Sequence, residues 1–354
     1  MLILTVNPGS TSTKLALFDG ENERAAQTVT HAAEELAGYA TMADQLPMRL
    51  AATRTFLAES LTAGGELRAS IGRGGLLHPV ESGTYAVNDQ MRKDLGSERY
   101  GRHASNLGGL IASAIAEPLG IPAFIADPVV VDELESVARL SGVPQIERRS
   151  IFHALNQKSA ARDACAHRGI TYDNASVIVA HMGGGVSVGA HRGGRVIDVN
   201  NALDGDGPFS PERAGTLPAG QLVELAVSDR HSEPELRRLL TGGGGLVAYT
   251  GSNSLKDLRQ RAEAGDAAVK LALEAMSYQI AKEIASHGAT LAGAVDLIVL
   301  TGGMAHDSTL IREISERIGY LAPIEVIPGE REMLSLARAA VRALEGEEEV
   351  REYR

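Results

Sequence analysis

The amino-acid sequence predicts an α/β protein built from two similar domains. The first observation is an N-terminal pattern of strand, turn, strand, turn and strand that begins at residues 2–6. The second is the return of this pattern over residues 177–199. The third is that helical segments and further strands follow each copy. Strand–glycine–strand patterns are common, but both turns recur at similar spacing. We therefore interpret the repeat as a duplication and expect a cleft between the two domains.

Each copy of the repeat has apolar runs for strands and small or polar residues for turns. The predicted strands of the first copy are residues 2–6, 14–18 and 25–29. The predicted strands of the second copy are residues 177–180, 186–190 and 195–199. The turns of the first copy are rich in Gly, Asn, Asp and Ser, and those of the second copy are rich in Gly, which suits tight connections.

The remaining segments favour helices, with two further strands at residues 123–126 and 296–301. Helices are predicted over residues 129–140, 150–167, 221–227, 233–240, 256–287 and 333–344. A loop-like segment at residues 172–174 precedes the second copy. We therefore place one domain in residues 1–170 plus 333–354 and the other in residues 171–332. The acidic residues 347–349 are interpreted as a solvated tail.

Charge and composition exclude several classes of function. The 354 residues carry a formal net charge of −11, so we expect neither nucleic acid nor a membrane as a partner, since both favour a basic face. The single cysteine, Cys165, excludes a disulfide within the chain and favours a reducing cytoplasm. We expect Cys165 to be a packing residue rather than a catalytic thiol. The N-terminal apolar run is too short for a signal peptide or a membrane span.

Three small or glycine-rich turns follow predicted strands and suit a nucleotide. The first contains Ser10 and Ser12 and leads into Lys14, so it offers backbone N–H groups, hydroxyls and a cation to phosphate. It is not the usual phosphate loop, because its glycine spacing differs and a strand follows it. The other two turns contain His181, Gly183, Gly184 and Gly185, and Gly302, Gly303, Met304 and Ala305. Any one of them could be a plain turn, but three together fit a nucleotide.

Two arginines and two histidines are candidates for anion recognition. Arg73 lies in a Gly-Arg-Gly-Gly segment and Arg213 in a Ser-Pro-Glu-Arg-Ala-Gly segment, and arginine matches carboxylate or phosphate with paired donors. His103 and His153 are candidate catalytic histidines, although a capping or core histidine is the commoner case.

Two acidic residues are candidates for the Mg²⁺ side of the site. Asp127 ends a predicted strand, and Glu332 precedes the last predicted helix, where it could instead be a helix cap. Asp132 and Glu133 stand at a predicted helix start and are expected to be solvated. No Cys/His spacing typical of zinc sites occurs.

Six longer motifs resemble those of one family. Residues 4–14 read Leu-Thr-Val-Asn-Pro-Gly-Ser-Thr-Ser-Thr-Lys, and residues 196–216 read Val-Ile-Asp-Val-Asn-Asn-Ala-Leu-Asp-Gly-Asp-Gly-Pro-Phe-Ser-Pro-Glu-Arg-Ala-Gly-Thr. The others are residues 72–80, 126–133, 150–158 and 180–191. Together they resemble the butyrate kinases of the acetokinase family over nearly the whole chain. Pro8 and the pair Ala154-Leu155 differ from the usual acetate kinase motifs and favour the butyrate branch.

This resemblance implies the fold of the acetate and sugar kinase/Hsp70/actin superfamily. That fold has two duplicated ribonuclease-H-like (actin-like) domains with a central cleft, the acid-binding residues in the N-terminal domain and the nucleotide-binding residues in the C-terminal one. It also implies a cytoplasmic kinase, a homodimer or higher oligomer, that uses ATP and Mg²⁺ to convert butyrate reversibly to its acyl phosphate and ADP. The alternatives are an acetate, propionate or branched-chain fatty acid kinase, and a non-catalytic ATP-binding switch of the same superfamily.

The resemblance assigns expected roles residue by residue. The metal positions are Asn7, Asp127 and Glu332. The ATP-phosphate positions are Lys14 with Ser10 and Ser12, and His181 with Gly183, Gly184 and Gly185. The adenosine positions are Gly302, Gly303, Met304 and Ala305. The catalytic positions are Arg73 for the acid carboxylate, His153 and Arg213 for the transferring phosphoryl group, with His103 near them, and Asp127. Ser254 and Lys256 stand where the family often has Asp and Arg, so a different adenosine contact is expected there.

Phosphoryl transfer to a carboxylate requires alignment and charge neutralisation more than proton transfer. A fatty-acid carboxylate is already ionised at neutral pH and needs no general base. The family usually treats the aspartate at the position of Asp127 as a catalytic acid or base. We instead expect Asp127 to orient the metal, and the carboxylate to attack the γ-phosphorus directly in line.

Overall fold

The computed structural model describes residues 1–61, 65–228 and 230–354. The strands are β1 (Leu2–Pro8), β2 (Ser12–Asp19), β3 (Asn22–Thr30), β4 (Leu67–Arg73), β5 (Thr84–Ala86), β6 (Ala123–Ala126), β7 (Ser176–Met182), β8 (Val186–Arg192), β9 (Arg195–Val199), β10 (Leu297–Gly302), β11 (Ile324–Pro328) and β12 (Arg351–Glu352). The α-helices are α1 (Ala33–Ala37), α2 (Leu46–Ser60), α3 (Asp89–Gly96), α4 (Asn106–Ala116), α5 (Ser136–Arg139), α6 (Ala154–His167), α7 (Ala219–Ala226), α8 (Glu233–Thr241), α9 (Gly245–Thr250), α10 (Leu255–Glu263), α11 (Ala267–Thr290), α12 (Ser308–Ile318) and α13 (Glu332–Glu345).

The first compact unit comprises residues Met1–Val131 and Arg331–Arg354. Its sheet has seven strands in the order β12-β5-β6-β4-β1-β2-β3. The antiparallel pairs β1–β2 and β2–β3 confirm the predicted N-terminal meander. β1, β4 and β6 run parallel as neighbours, so their carboxyl ends lie at one edge of the sheet. In layered α/β folds this edge is where ligands bind.

The second compact unit comprises residues Asp132–Glu330. Its sheet has five strands in the order β11-β10-β7-β8-β9, and β7, β8 and β9 form the predicted second meander. Because side chains alternate along a strand, Val177 and Val179 of β7 pack with Cys165 of α6, whereas Ile178 packs with Met276 of α11. Cys165 is therefore a packing residue, as expected. The predicted α/β class with a repeated meander is confirmed.

The compact units divide earlier than the predicted boundary at residue 170. Helix α6 packs on β7 and β10, so its alanine-rich face belongs to the core of the second unit. At the other end the division falls before Arg331, so Glu332 belongs to the first unit and not, as predicted, to the second.

The predicted helix over residues 129–140 is wrong, because only α5 is helical there. Val131 forms a β-bridge with Val80, and the Glu133 carboxylate accepts hydrogen bonds from the Val196 N–H and the Lys158 ammonium. These tertiary contacts hold the chain extended. Glu133 is accordingly buried and ion-paired, rather than solvated as predicted.

Two further predictions are corrected by local structure. The single helix predicted over residues 256–287 is two helices, since Gly265 adopts a φ of +99° and the Asp266 side chain caps α11 through the Val269 N–H. In the predicted solvated tail, Glu347 and Glu349 are exposed as predicted, but Glu348 is bonded to the Thr84 N–H and to Arg342. The chain then continues into β12, which pairs with β5, and into Tyr353, which is buried.

None of the helices within the described residues has both the length and the apolar character needed to span a membrane.

Candidate active site

Three of the predicted site residues meet at the carboxyl edge of the first sheet. Asn7 comes from the end of β1, Arg73 from the end of β4 and Glu332 from the first turn of α13. The Asn7 amide donates a hydrogen bond to Glu332, and the Arg73 guanidinium lies 3.1 Å from a Glu332 carboxylate oxygen. Arg73 Nη1 also lies 3.5 Å from Asn7 Oδ1. The Arg73 side chain is 25% exposed, so the cation has an accessible face as well as an anionic partner.

Glycines fix the backbone on which Arg73 stands. A Cβ atom at Gly72 would lie 2.1 Å from the Gly108 carbonyl oxygen, and one at Gly108 would lie 2.2 Å from the Arg73 carbonyl oxygen. A Cβ atom at Gly75 would overlap Asn106, whose side chain accepts a hydrogen bond from the Leu76 N–H. The end of β4 therefore packs directly on the first turn of α4. The glycines that looked like flexible turns in the sequence permit this close approach.

Asp127 follows β6 at the same edge of the sheet, one residue beyond the β6 position paired with Arg73. Its φ is +39°, a strained conformation for a residue other than glycine. One carboxylate oxygen accepts hydrogen bonds from the Ser82 hydroxyl at 2.6 Å and from the Gly83 N–H at 2.9 Å. The Asp127 N–H donates back to the Gly83 carbonyl. These bonds hold the side chain and offset the backbone strain.

The turn between β1 and β2 is held by a residue that the sequence did not reveal. Arg49 of α2 is fully buried, and its guanidinium donates to the carbonyls of Gly9 and Ser12 at 2.9 Å each and to the Thr13 hydroxyl. A weaker contact reaches the Ser10 carbonyl at 3.4 Å. A single arginine at position 49 gave no signal of this contact in the sequence.

Lys14, the cation predicted to contact ATP phosphates, is exposed on β2 and stands opposite Asn7 in the β1–β2 pair. Directly paired residues project to the same face of a sheet, so Lys14 and Asn7 share a face. Ser10 is exposed and Ser12 is half-buried. The turn thus presents the hydroxyls and the cation that the sequence predicted for phosphate contacts. The carbonyls of the same turn are held by the buried guanidinium of Arg49.

We expect Arg49→Met to lower the free energy of unfolding by about 3 kcal/mol, because it leaves buried carbonyl oxygens without donors. The KM for ATP should also rise, since the turn before Lys14 loses its support. Urea unfolding and steady-state kinetics measure the two effects. The matched control is Arg54→Met, an exposed arginine of the same helix. Equal stability and KM in the two variants would contradict the assignment.

His103, a predicted catalytic residue of the first unit, lies on an exposed turn before α4. The Ser105 N–H donates to its Nδ1 at 3.2 Å, and the Ser105 hydroxyl lies 2.7 Å from the same nitrogen. Nδ1 is therefore an acceptor, which places the proton of the neutral ring on Nε2. Its catalytic role stays a prediction.

In the second unit, His153 and His181 stack face to face with ring centroids 3.8 Å apart. His181 ends β7 and is buried; its Nδ1 bonds Asn156 Oδ1, and its Nε2 lies 3.3 Å from a Glu330 carboxylate oxygen. His153 precedes α6, and its Nδ1 lies 2.9 Å from the Ser187 hydroxyl. The two rings therefore hold one another in place. Because His153 and His181 are far apart in the sequence, no motif predicted the stack.

Gln157 completes the support of this histidine pair. Its amide nitrogen donates to the Ser187 hydroxyl at 2.7 Å, which leaves the hydroxyl hydrogen for His153 Nδ1. The Gln157 amide oxygen lies 3.0 Å from Nε2 of His191, a core histidine whose pKa is held well below the usual range by burial. Both ring nitrogens of the neutral His191 have partners within the core, Tyr172 and Gln157. His191 therefore serves the packing of β8 rather than catalysis.

Arg213 packs against the glycine turn of residues 183–185. A Cβ atom at Gly185 would lie 1.9 Å from Arg213 Nη1, and the guanidinium donates to the Ala202 carbonyl. The Ser210 hydroxyl donates to the Gly184 carbonyl, which ties the loop that carries Arg213 to the same turn. Burial lowers the pKa of Arg213, yet arginine stays protonated. Within the part of the chain that the structure describes, the buried Nε–H of Arg213 has no hydrogen-bond acceptor, which suits an anionic ligand.

The predicted adenosine segment begins at the end of β10. Gly302 has a φ of +89°, and a Cβ atom there would lie 2.4 Å from the Met182 carbonyl oxygen, so only glycine fits. Gly303 opens a 3₁₀ turn, Gly303–His306, in which Met304 and Ala305 are buried. At Gly303 a Cβ atom would meet no neighbouring atom, so the backbone there is open to a ligand.

Ser254, one of the residues that differ from the family pattern, caps α10 through the Asp257 N–H. Its neighbour Asn253 donates to the Glu212 carboxylate at 2.6 Å, beside Arg213 in the chain. Ser254 thus has a structural task, and its effect on adenosine binding stays a prediction.

The donor set at the edge of the first sheet has the chemistry that Mg²⁺ prefers. Asn7, Asp127 and Glu332 offer amide and carboxylate oxygens, and Mg²⁺ commonly uses one or two carboxylates with waters and substrate phosphates. Among the described residues, no group of three or more His, Cys, Asp or Glu side chains could hold a metal by itself. Asn7 and Glu332 are in contact, whereas Asp127 is held separately by Ser82 and Gly83.

Comparison with known proteins identifies the family of the chain. A model described as the acetokinase family matches residues 143–327. "Butyrate kinase 2" of Clostridium acetobutylicum is 49% identical over 99% of both chains. A "probable butyrate kinase" of Clostridium botulinum strain Alaska E43 is also 49% identical, over 99% of both chains.

Solved structures resemble the chain as well. The acetate kinase of Porphyromonas gingivalis superposes with a TM-score of 0.77 at 17% identity, covering 96% of this chain and 99% of that one. A propionate kinase of Francisella tularensis gives a TM-score of 0.75 at 20% identity, covering 96% and 98%. At these identities the likeness concerns the fold alone. Because the relatives at 49% identity cover nearly the whole chain and the family model matches residues 143–327, this chain belongs to the acetokinase family.

Proposed function

We propose that this chain is a butyrate kinase, which transfers the γ-phosphoryl group of ATP reversibly to the carboxylate of a short-chain fatty acid. The observation that carries the proposal is Arg73 at the carboxyl edge of the first sheet, beside Asn7 and Glu332. A guanidinium with an accessible face suits a carboxylate substrate. An ATP-binding switch of the same superfamily would have no need of it.

The nucleotide is assigned to the remaining groups. Lys14 and the turn that contains Ser10 and Ser12 supply donors to phosphate oxygens, as do the backbone N–H groups of residues 183–185. The open backbone at Gly303 and its 3₁₀ turn are assigned to the adenosine. Mg²⁺ would be held by Asn7, Asp127 and Glu332, and when bound it neutralises phosphate charge.

The reaction follows from these assignments. A carboxylate oxygen of the acid forms a bond to the γ-phosphorus, the bond from that phosphorus to the β–γ bridging oxygen breaks, and ADP leaves. Arg73 holds the carboxylate in position, while Arg213 and His153 donate to the equatorial oxygens of the transferring group. The Ser187 hydroxyl and the His181 ring fix the orientation of His153, so the ring need not reorganise during transfer.

The chain length of the acid is the finer part of the proposal. The chain is 49% identical to proteins named butyrate kinases, which favours butyrate over acetate, propionate or branched acids. We further propose a cytoplasmic homodimer, in keeping with the single, buried cysteine.

The test is to trap acyl phosphate as its hydroxamate with hydroxylamine, using ATP, Mg²⁺ and a panel of straight and branched acids from C2 to C6. We expect hydroxamate in proportion to ADP, with the highest kcat/KM for butyrate. A preference for acetate would contradict the butyrate assignment alone. ATP binding without hydroxamate from any acid would contradict the kinase assignment and favour the switch.

A further inference from the structure

The last residues of the chain pack against the turn that holds Asp127. We call residues 348–353 the tail segment and residues 81–84 the aspartate turn. β12, within the tail segment, pairs in parallel with β5, with Arg351 opposite Tyr85 and Glu352 opposite Ala86. β5 begins at Thr84, the last residue of the aspartate turn. The tail segment therefore extends the sheet at the point where that turn ends.

Two side chains of the tail segment contact the aspartate turn on either side of Gly83. The Glu348 carboxylate accepts a hydrogen bond from the Thr84 N–H at 2.7 Å and is held in turn by Arg342 at 2.9 Å. Arg351 Nη1 donates to the Glu81 carboxylate at 2.6 Å. A Cβ atom at Gly83, whose φ is +143°, would lie 2.8 Å from Arg351 Nε. Ser82 and Gly83, the two residues that bond Asp127, thus lie between two contacts with the tail segment.

Tyr353 anchors the tail segment in the core of the first unit. It is 2% exposed, its hydroxyl donates to Asp94 at 3.0 Å, and its ring stacks on His78 with centroids 4.3 Å apart. Asn88 donates to the Tyr353 carbonyl at 2.7 Å. The Arg351–Glu81 pair is about half exposed and contributes little alone. Burial of Tyr353 is therefore what keeps the weaker contacts in register.

We propose that the tail segment positions Asp127, by holding the aspartate turn in the conformation in which Ser82 and Gly83 bond the carboxylate. Asp127 needs such support because its own backbone is strained at a φ of +39°. Glu348, Arg351 and Tyr353 are on this account positioning residues for the reaction, since none of them bonds Asp127 itself. The inference rests on the proposed function and on the role of Asp127 in it.

The first test is Tyr353→Ala in the full-length chain, measured by the hydroxamate assay. We expect kcat and kcat/KM to fall together by about tenfold. A small displacement of the Asp127 carboxylate, which acts in the transition state, lowers both rate parameters equally. The second test is Glu348→Ala, which leaves Tyr353 in place, with an expected fall of about threefold from the loss of one charge-assisted bond. Its matched control, Glu349→Ala, changes an exposed neighbour and should leave kcat unchanged.

A double-mutant cycle distinguishes positioning from general stability. In an Asp127→Asn background, Glu348→Ala should cause no further loss of kcat, because the charge that the tail segment positions is already absent. The same threefold loss in both backgrounds would overturn the inference, as would an unchanged kcat in Glu348→Ala. Should Tyr353→Ala not fold, the Glu348 cycle decides. A wild-type chain that forms no hydroxamate would overturn the proposed function itself.

Discussion

Arg213→Ala should lower kcat by about 1000-fold while the affinity for ATP changes little, because a preorganised donor acts mainly on the charge of the transition state. The arginine packs on the glycine turn of residues 183–185, and its buried Nε bonds nothing else in the described residues. Although Nη1 donates to the Ala202 carbonyl, this arrangement leaves the Nε–H for a ligand. Hydroxamate formation measures kcat, and fluorescence titration with an ATP analogue measures binding.

Two variants make the Arg213 result interpretable. Arg213→Lys keeps the charge but loses the forked donors, so we expect partial recovery, to within about 100-fold of wild type. Arg237→Ala removes an exposed arginine from α8 and should leave kcat unchanged. Wild-type turnover in Arg213→Ala would refute its role, and equal loss of ATP binding and of turnover would indicate a structural role instead.

Asp127→Asn should lower kcat by about 100-fold without unfolding the protein, because it removes one charge from a preorganised site. Asparagine tolerates positive φ, and its side-chain oxygen can still accept from Ser82 and Gly83. The variant therefore changes charge while it preserves the local geometry. Hydroxamate formation and thermal unfolding measure the two properties.

The activity of Asp127→Asn as a function of Mg²⁺ concentration and of pH distinguishes the two roles considered for this aspartate. If Asp127 orients the metal, the variant should need more Mg²⁺ for half-maximal activity, with a pH profile parallel to that of wild type. If Asp127 is a catalytic acid or base, the variant should instead lose one limb of the pH profile. Unchanged turnover would contradict both roles. A matched control is Asp132→Asn, whose carboxylate pairs with Arg139 in the second unit.

Features that depend on neighbours in the sequence were predictable. Each meander carries its own alternation and its own turns, and the structure confirms both. Asp127 was expected at the carboxyl end of a strand, where ligands bind in such sheets, and it follows β6; the strand β4 that carries Arg73 was not predicted. The break between α10 and α11 was missed, although Gly265-Asp266 combines a helix-ending glycine with a capping aspartate and so carried a local signal.

Features that depend on distant partners were not predictable from one sequence. Glu133 looked solvated because its partner, Lys158, lies on α6, 25 residues further along the chain, and the pair is buried only in the folded chain. The role of Arg49 gave no signal in the sequence, since the carbonyls it binds belong to the turn after β1. Within the acidic tail only the contact of Glu348 was missed, because its partner Thr84 is distant in the sequence, and the burial of Tyr353 likewise depends on His78 and Asp94.

The central claim is that a carboxylate oxygen attacks the γ-phosphorus of ATP, and isotope transfer tests it most directly. Butyrate labelled with ¹⁸O in both carboxyl positions is incubated with the protein, ATP, Mg²⁺ and hydroxylamine. Hydroxylamine attacks the acyl carbon, so the bridging oxygen leaves with the phosphate. Attack by the carboxylate oxygen on the phosphorus predicts butyryl hydroxamate in proportion to ADP and one ¹⁸O atom in each released phosphate. Phosphate without ¹⁸O, or ADP formation without hydroxamate, would contradict the claim.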